Sequence, residues 1–375
     1  MCERSRGLEA LVKRGEISTP ALTIDLDVLE RNLQRMAAYC RERGLALRPH
    51  TKTHKTPEVA QMQLDRGACG LTVAKVGEAE VMGAASNAEI LVAYPIFGVE
   101  KLRRLAGLAR TRTILMALDD EATAWEASRA AGAQQSTVGV LVEFDVGLGR
   151  CGLDSGAACV ALATKIQQMP GLRFRGLMLY SGNIWGSEAE RQGIASQVSE
   201  RVRQVLQAFA EARMQVEIVS GGSTPGAFLS HQIAGLTEVR PGTYVYNDLN
   251  TYYQGVCGLE DCAARVAVTV VSTAVPGRAI IDAGSKTLSS DLLGSGSREG
   301  YGYVVEAQDA KLIKLNEEHG YLDIRGSNHR FRVGEVLTVI PNHVCTCVNM
   351  HDEVFVLRNR EWVGTWSVAA RGKIR

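Results

Sequence analysis

Three short segments of the 375-residue chain carry side chains whose types and spacing could do chemistry. The first is Arg48-Pro49-His50-Thr51-Lys52-Thr53-His54-Lys55, which follows a short β-rich run. A lysine at the carboxyl end of a barrel strand can act as a nucleophile toward a carbonyl group, because those strand ends face the active site in that architecture. His50 stands two residues before Lys52, and on an extended segment this spacing would put both side chains on one face. Taken alone, such a basic cluster suits a surface or phosphate-binding role equally well.

The second segment, Ser220-Gly221-Gly222-Ser223-Thr224-Pro225, again comes directly after a β-rich run. Small residues let backbone N–H groups approach a phosphate closely, and hydroxyls add donors. In isolation it reads as a tight turn, whereas beside a strand-end lysine it becomes a cup for a cofactor phosphate. The third segment is His343-Val344-Cys345, followed by Cys347, His351 and Asp352. On a strand, His343 and Cys345 would point the same way, and an imidazole with a thiolate suits zinc or a similar transition metal. Two ligands are too few for a closed structural site, so water and substrate would have to complete the shell. Without further context, a buried thiol and a hydrogen-bonded histidine are the better explanation of the pair. Cys347 reads as a buried thiol, and His351 or Asp352 could orient His343.

These segments need a scaffold, and the patterning supplies one. From about Pro20 to Gly242, short β-rich runs alternate with longer helical stretches, as expected for βα units around a parallel sheet. Ala21 to Ile24 reads as the opening strand of the series, with Asp25 capping a helix over 26–43 in which Val28, Leu29, Leu33 and Met36 recur at helical spacing. Further strands are expected at 45–48, 70–73, 89–93, 112–117, 137–144, 174–179, 215–220 and 238–240. About eight strands in roughly 220 residues is what a (β/α)8 TIM barrel requires. A doubly wound sheet is the competing architecture, and the absence of G-x-G-x-x-G after the first strand weakens it. After Tyr252 the β-like runs 264–273, 278–282, 302–305, 320–324, 335–340 and 353–357 are separated by Gly, Asn and Pro, which predicts an antiparallel β domain. The expected division is 1–255 for the barrel and 256–375 for the β domain, with residues 1–18 free to pack with the latter.

Composition narrows the function classes. Lys and Arg number 42 against 41 Asp and Glu, so no long-range field recruits nucleic acid or an anionic membrane, and a small-molecule partner fits better. The nine scattered cysteines, with no apolar segment after Met1, point to reduced thiols in a cytoplasmic protein. The apolar runs are interrupted by Arg or Thr and fall short of the roughly 20 residues of a membrane span.

The segments also carry a resemblance that runs over nearly the whole chain. Thr19-Pro20-Ala21-Leu22-Thr23-Ile24-Asp25-Leu26-Asp27, with Leu29 and Asn32, resembles the opening of alanine racemase and its fold-type III relatives. Arg48 to Lys55 resembles the signature of the D-threonine aldolase and D-serine dehydratase branch, which implies that Lys52 carries pyridoxal 5'-phosphate. Glu143-Phe144-Asp145-Val146-Gly147 to Arg150-Cys151-Gly152 is similar to the next motif of the branch, and implies that Arg150 lies beside the cofactor ring. Tyr180 matches the family tyrosine near the cofactor, Ser220, Gly221, Gly222 and Ser223 match the phosphate loop, and Val239 to Gly242 with Tyr246 resembles the segment whose tyrosine meets the phosphate. The implied fold is an alanine racemase-type (β/α)8 barrel with a carboxyl-terminal antiparallel β domain. A homodimer is implied as well.

Two departures bear on the reaction. The segment after Tyr180, Ser181-Gly182-Asn183-Ile184-Trp185-Gly186, contains no histidine, whereas aldolases of this branch end it in Gln-His. The pair His343-x-Cys345 stands where those aldolases have His-x-Asp, and resembles the dehydratases. The resemblance therefore implies a lyase of D-3-hydroxy amino acids using pyridoxal phosphate and a divalent metal, manganese or zinc. D-threonine aldolase comes first, D-serine or 3-hydroxy-D-aspartate dehydratase is the alternative, and an amino-acid racemase is third. The expected catalytic residues are Lys52, His50 and Tyr180.

Overall fold

Runs of β-branched and aliphatic residues alternate with helices through the first two thirds of the chain, and the computed structural model, which describes residues 3–293 and 300–375, turns that alternation into a parallel barrel. Two compact units divide the chain. One comprises residues 34–52, 57–242 and 372–375, and the other comprises the residues up to Leu33 together with 53–56 and 243–371. The changeover expected at 255/256 thus falls between Gly242 and Thr243. The strand β1 (Ala21–Asp25) goes with the second unit.

The first unit holds β2 (Ala46–Leu47), β3 (Leu71–Val73), β4 (Ile90–Val92), β5 (Ile114–Leu118), β6 (Val138–Glu143), β7 (Leu172–Met178), β8 (Ile218–Gly221) and β9 (Glu238–Val239). They form an eight-stranded sheet in the order β2-β9-β8-β7-β6-β5-β4-β3. Every pair is parallel, and a parallel bridge between His50 and Thr72 closes the ring. All residues of β5 and β6 are buried, as strands covered on both faces must be. Leu91, Leu115, Ala117, Leu141, Met178 and Ile218 form one core cluster within the sheet.

Helices start where a short polar side chain can satisfy the first N–H groups. Asp120 accepts from Thr123 N at the head of the helix Glu121–Ala133. Ser187 and Glu190 form a capping box at the head of Glu188–Glu211.

An ion cluster lies inside the barrel wall. Arg48, 3% exposed, pairs with Glu238 at 2.9 Å and with Glu89 at 2.8 Å. Removing one partner of such a buried pair strands a charge and costs roughly 3–5 kcal/mol. The cluster fixes the chain just upstream of His50 and Lys52.

The second unit contains β1 with β10 (Ala264–Ser272), β11 (Arg278–Ile281), β12 (Gly302–Val304), β13 (Lys311–Leu315), β14 (Gly320–Asp323), β15 (Val336–Pro341), β16 (Glu353–Arg358) and β17 (Glu361–Ser367). These form a nine-stranded sheet along β13-β14-β11-β10-β1-β16-β17, with β15 on β10 and β12 on β15. All pairings are antiparallel except β1 with β16. The opening strand expected for the barrel series is therefore a strand of the β unit. Its apolar run is buried almost throughout, and such a run does not reveal which sheet it joins, since its partners lie in the last third of the sequence. Leu8, Leu11 and Ile17 pack with Ala21, Ala267 and Val336. No helix among the described residues is long and apolar enough to cross a membrane.

Candidate active site

A cleft of about 350 Å³ opens among the carboxyl ends of the barrel strands, lined by residues that include His50, Lys52, Glu143, Arg150, Tyr180, Gly222 and Arg240. The i, i+2 spacing of His50 and Lys52 predicts an extended segment, but Thr51 to His54 form a turn. The turn brings Lys52 N within 3.3 Å of His50 Nδ1, which accepts its hydrogen bond. An Nδ1 used as acceptor carries no proton, so the neutral ring holds its proton on Nε2. Both side chains thus reach the cleft by a turn rather than by strand alternation.

Arg150 follows β6 and Tyr180 follows β7, and the guanidinium carbon sits 4.4 Å from the ring centroid, a cation–π stack. Close by, Glu143 ends β6. It is 3% exposed, and its Oε2 finds no hydrogen-bond partner among the described residues. Burial pushes its carboxyl above the usual range, with Arg240 and Arg150 opposing and Asp119 adding to the rise.

The glycine loop is built from below. Arg240 donates to Ser220 Oγ at 2.6 Å and to Leu179 O at 2.8 Å, and Ser220 Oγ donates to Glu238 at 2.5 Å. Burial pushes the Arg240 guanidinium down to about 10, against the pull of Glu238 and Glu143. The Ser220 hydroxyl, expected among the cofactor contacts, is thereby engaged inside the wall. Ser223 Oγ donates to Ser181 O at 3.1 Å. What remains is backbone: Gly222 has φ +80°, and the N–H groups of Gly222 and Ser223 meet no acceptor among the described residues. Tyr246 is wholly buried in the other unit and is not part of the cleft lining.

The histidine and cysteine pair belongs to the β unit. Its spacing predicts a strand, yet it lies just past Pro341, where β15 ends and the chain turns. His343 is the N-cap of a short helix, Val344–Val348, and Cys345 lies in that helix. Strand alternation therefore does not align the two side chains. The start of the helix is what brings them into contact.

Asp248, wholly buried, accepts from Val344 N at 3.0 Å and from Thr251 N at 2.9 Å, which pins the turn. Burial pushes its carboxyl up, and those N–H donors oppose the rise. His343 Nδ1 lies 2.7 Å from Asp291 Oδ2. Burial works against the charged imidazole, but Cys345, Asp248 and Asp291 outweigh it and hold His343 up at about 9. The Cys345 sulfur lies 3.2 Å from the hydroxyl of Thr53, the residue after Lys52 in the chain, and 3.8 Å from that of Thr243.

The residues expected to orient His343 do something else. His351 Nε2 meets Thr287 O at 3.1 Å, and Asp352 pairs with Arg371. Asp291 takes that place, and no local spacing announces it. Cys347 is buried, with its thiol on Thr287 O. Cys40, Cys69, Cys151, Cys159, Cys257, Cys262, Cys345 and Cys347 form no disulfide among the described residues, and Cys2 lies outside them.

The donor sets suit the groups that the sequence implies. An amine, a stacked guanidinium and Gly222 line one cleft, with the unengaged N–H groups of Gly222 and Ser223 following each other along the loop, and this set matches an aldehyde-bearing, phosphorylated aromatic ring. Imidazole with thiolate matches a transition-metal ion. No group of three or more His, Cys, Asp or Glu side chains stands ready for an ion among the described residues, so the pair suits an open site that water and substrate complete.

Comparison with known proteins identifies the family. Residues 24–250 match the family model for the alanine racemase N-terminal domain, and residues 263–357 match a putative serine dehydratase domain. A D-threonine aldolase from Arthrobacter sp. is 31% identical over 95% of this chain and 93% of its own length. A D-threo-3-hydroxyaspartate dehydratase from Delftia sp. (strain HT23) is 34% identical over 88% of this chain and 91% of its own. A variant of a D-threo-3-hydroxyaspartate dehydratase has been solved in a metal-free form. The crystal structure of D-threonine aldolase from Filomicrobium marinum superposes with a TM-score of 0.89 at 32% identity, covering 96% of this chain and 97% of that one. The chain belongs to the alanine racemase-like, fold-type III family of pyridoxal-phosphate enzymes.

Proposed function

We propose that the protein is a pyridoxal-phosphate- and divalent-metal-dependent lyase that cleaves D-3-hydroxy amino acids, with D-threonine giving glycine and acetaldehyde. The observation that carries this reading is the coexistence of a lysine-bearing, anion-ready cleft in the barrel with an imidazole and thiol pair in the β unit. Likeness to D-threonine aldolases over 95–96% of the chain supports it.

Bound pyridoxal phosphate supplies a sink for the electron pair left at Cα, and manganese or zinc supplies a Lewis acid for the β-oxygen. Lys52 would carry the cofactor, the Gly222 and Ser223 N–H groups would hold its phosphate, and Arg150 with Tyr180 would flank its ring. His343 and Cys345 would hold the cation. In the retro-aldol direction the Cα–Cβ bond breaks, the β-hydroxyl proton leaves to water, and Lys52 Nζ returns a proton to Cα.

A second reading is β-elimination, as in D-serine or 3-hydroxy-D-aspartate dehydratases. The tautomer of His50 favours it, because a ring with its proton on Nε2 is a donor, suited to a departing hydroxyl and not to taking a proton. In that direction Lys52 Nζ removes the Cα proton. Incubation with D- and L-threonine in parallel tests the proposal. Consumption of the D-enantiomer alone, with a carbonyl product, is expected; interconversion of the enantiomers without a carbonyl product would overturn it in favour of a racemase.

A further inference from the structure

The carboxylate of Asp291 has a defined place beside the imidazole and sulfur pair. Its Oδ2 lies 2.7 Å from His343 Nδ1 and accepts from Thr346 Oγ1 at 2.9 Å. The Asp291 backbone is tied to the same turn, since Asn342 Nδ2 donates to its carbonyl at 3.0 Å. Ser289 Oγ reaches Thr346 Oγ1 at 3.1 Å and accepts from Asp291 N at 3.3 Å. The residues on either side of His343 are thus anchored to the residue that its ring addresses.

A carboxylate accepts only from a nitrogen that bears a proton, so the contact fixes the proton on Nδ1. A ring that binds a cation must give up its other proton, and the lone pair this exposes is at Nε2. We infer that Asp291 is a positioning residue for the cation site: it holds Nδ1–H of His343 and makes Nε2 the nitrogen that binds the metal alongside Cys345. This rests on the metal site proposed above and adds to it the tautomer, the coordinating atom and the residue that selects both. Outer hydrogen-bond partners of this kind typically change metal affinity by about 10- to 100-fold.

The test uses the pyridoxal-phosphate-loaded protein stripped of metal. Mn2+ binding is titrated by the EPR signal of the free ion in the parent, D291N, D291A and H343A, and cofactor absorbance and Tm are recorded for each. D291A should bind Mn2+ about 10- to 100-fold more weakly with absorbance and Tm kept, and D291N, whose amide oxygen can still accept from Nδ1, should fall between. Histidine 15N shifts of the Zn2+-loaded parent should show His343 metallated at Nε2 and protonated at Nδ1. Metallation at Nδ1, or D291A binding Mn2+ as the parent does while H343A does not, overturns the inference and leaves the metal site standing. Equal binding by the parent and H343A overturns both.

Discussion

The guanidinium of Arg150 stacks on the ring of Tyr180, its central carbon 4.4 Å from the ring centroid, and both residues line the cleft that holds Lys52. The two follow neighbouring strands, β6 and β7, so each restrains the other. A cation–π contact contributes about 0.5–2 kcal/mol. Arg150→Ala should therefore weaken pyridoxal-phosphate binding by roughly 2- to 30-fold, read by absorbance titration. Arg150→Lys keeps the charge but loses the flat stack and should fall between. Unchanged affinity in both variants would contradict a role for the stack.

Gly222→Ala should damage the loop. Its φ of +80° is strained for any residue with a side chain, and an added Cβ would come within 3.3 Å of Val239 and of Ser230 Oγ. Strain of this kind costs about 1–3 kcal/mol, so a lower Tm and weaker cofactor binding are expected. Ser223→Ala keeps the backbone N–H and should bind the cofactor nearly as the parent does. A larger loss in Ser223→Ala than in Gly222→Ala would show that the hydroxyl, not the backbone, holds the phosphate.

Glu143 gives a pH signature. Burial raises its carboxyl pKa in the folded protein, so the folded state holds that proton more tightly than the unfolded state does. Its contribution to stability is complete below the unfolded pKa and is lost as pH rises through the folded value. Glu143→Gln removes the titration. Its Tm relative to the parent should therefore improve as pH rises from about 4 toward neutrality, measured by calorimetry. A Tm difference independent of pH would contradict the assignment.

The barrel is legible in the sequence because its strands are short apolar runs between helices of recognisable period, as in Ile114–Leu118 and Val138–Glu143. Strand membership is not: Ala21–Asp25 has the same texture, yet it pairs with Ala264–Ser272 and Glu353–Arg358. Lys311–Leu315 and Glu361–Ser367 give no strand signal because they are largely exposed and present little apolar pattern. Lys52, His50, Arg150, Tyr180 and Gly222 can be named from their motifs, and the structure brings them to one cleft. Asp291 cannot, because it is 52 residues from His343 and no spacing rule links them. The engaged hydroxyl of Ser220 is equally hidden, since its partners Glu238 and Arg240 lie on the next strand and just beyond it.

Metal-assisted cleavage of a D-3-hydroxy amino acid is read out by product identification. Protein loaded with pyridoxal phosphate and manganese is incubated separately with D-threonine and D-serine, with and without a chelator, and the products are identified by mass spectrometry. Glycine and acetaldehyde from D-threonine, lost on chelation and restored by added metal, is the predicted result. 2-Oxobutyrate or pyruvate with ammonia, equally metal-dependent, would move the assignment to the dehydratase. Formation of the L-amino acid alone, unaffected by the chelator, would contradict a lyase and leave a racemase.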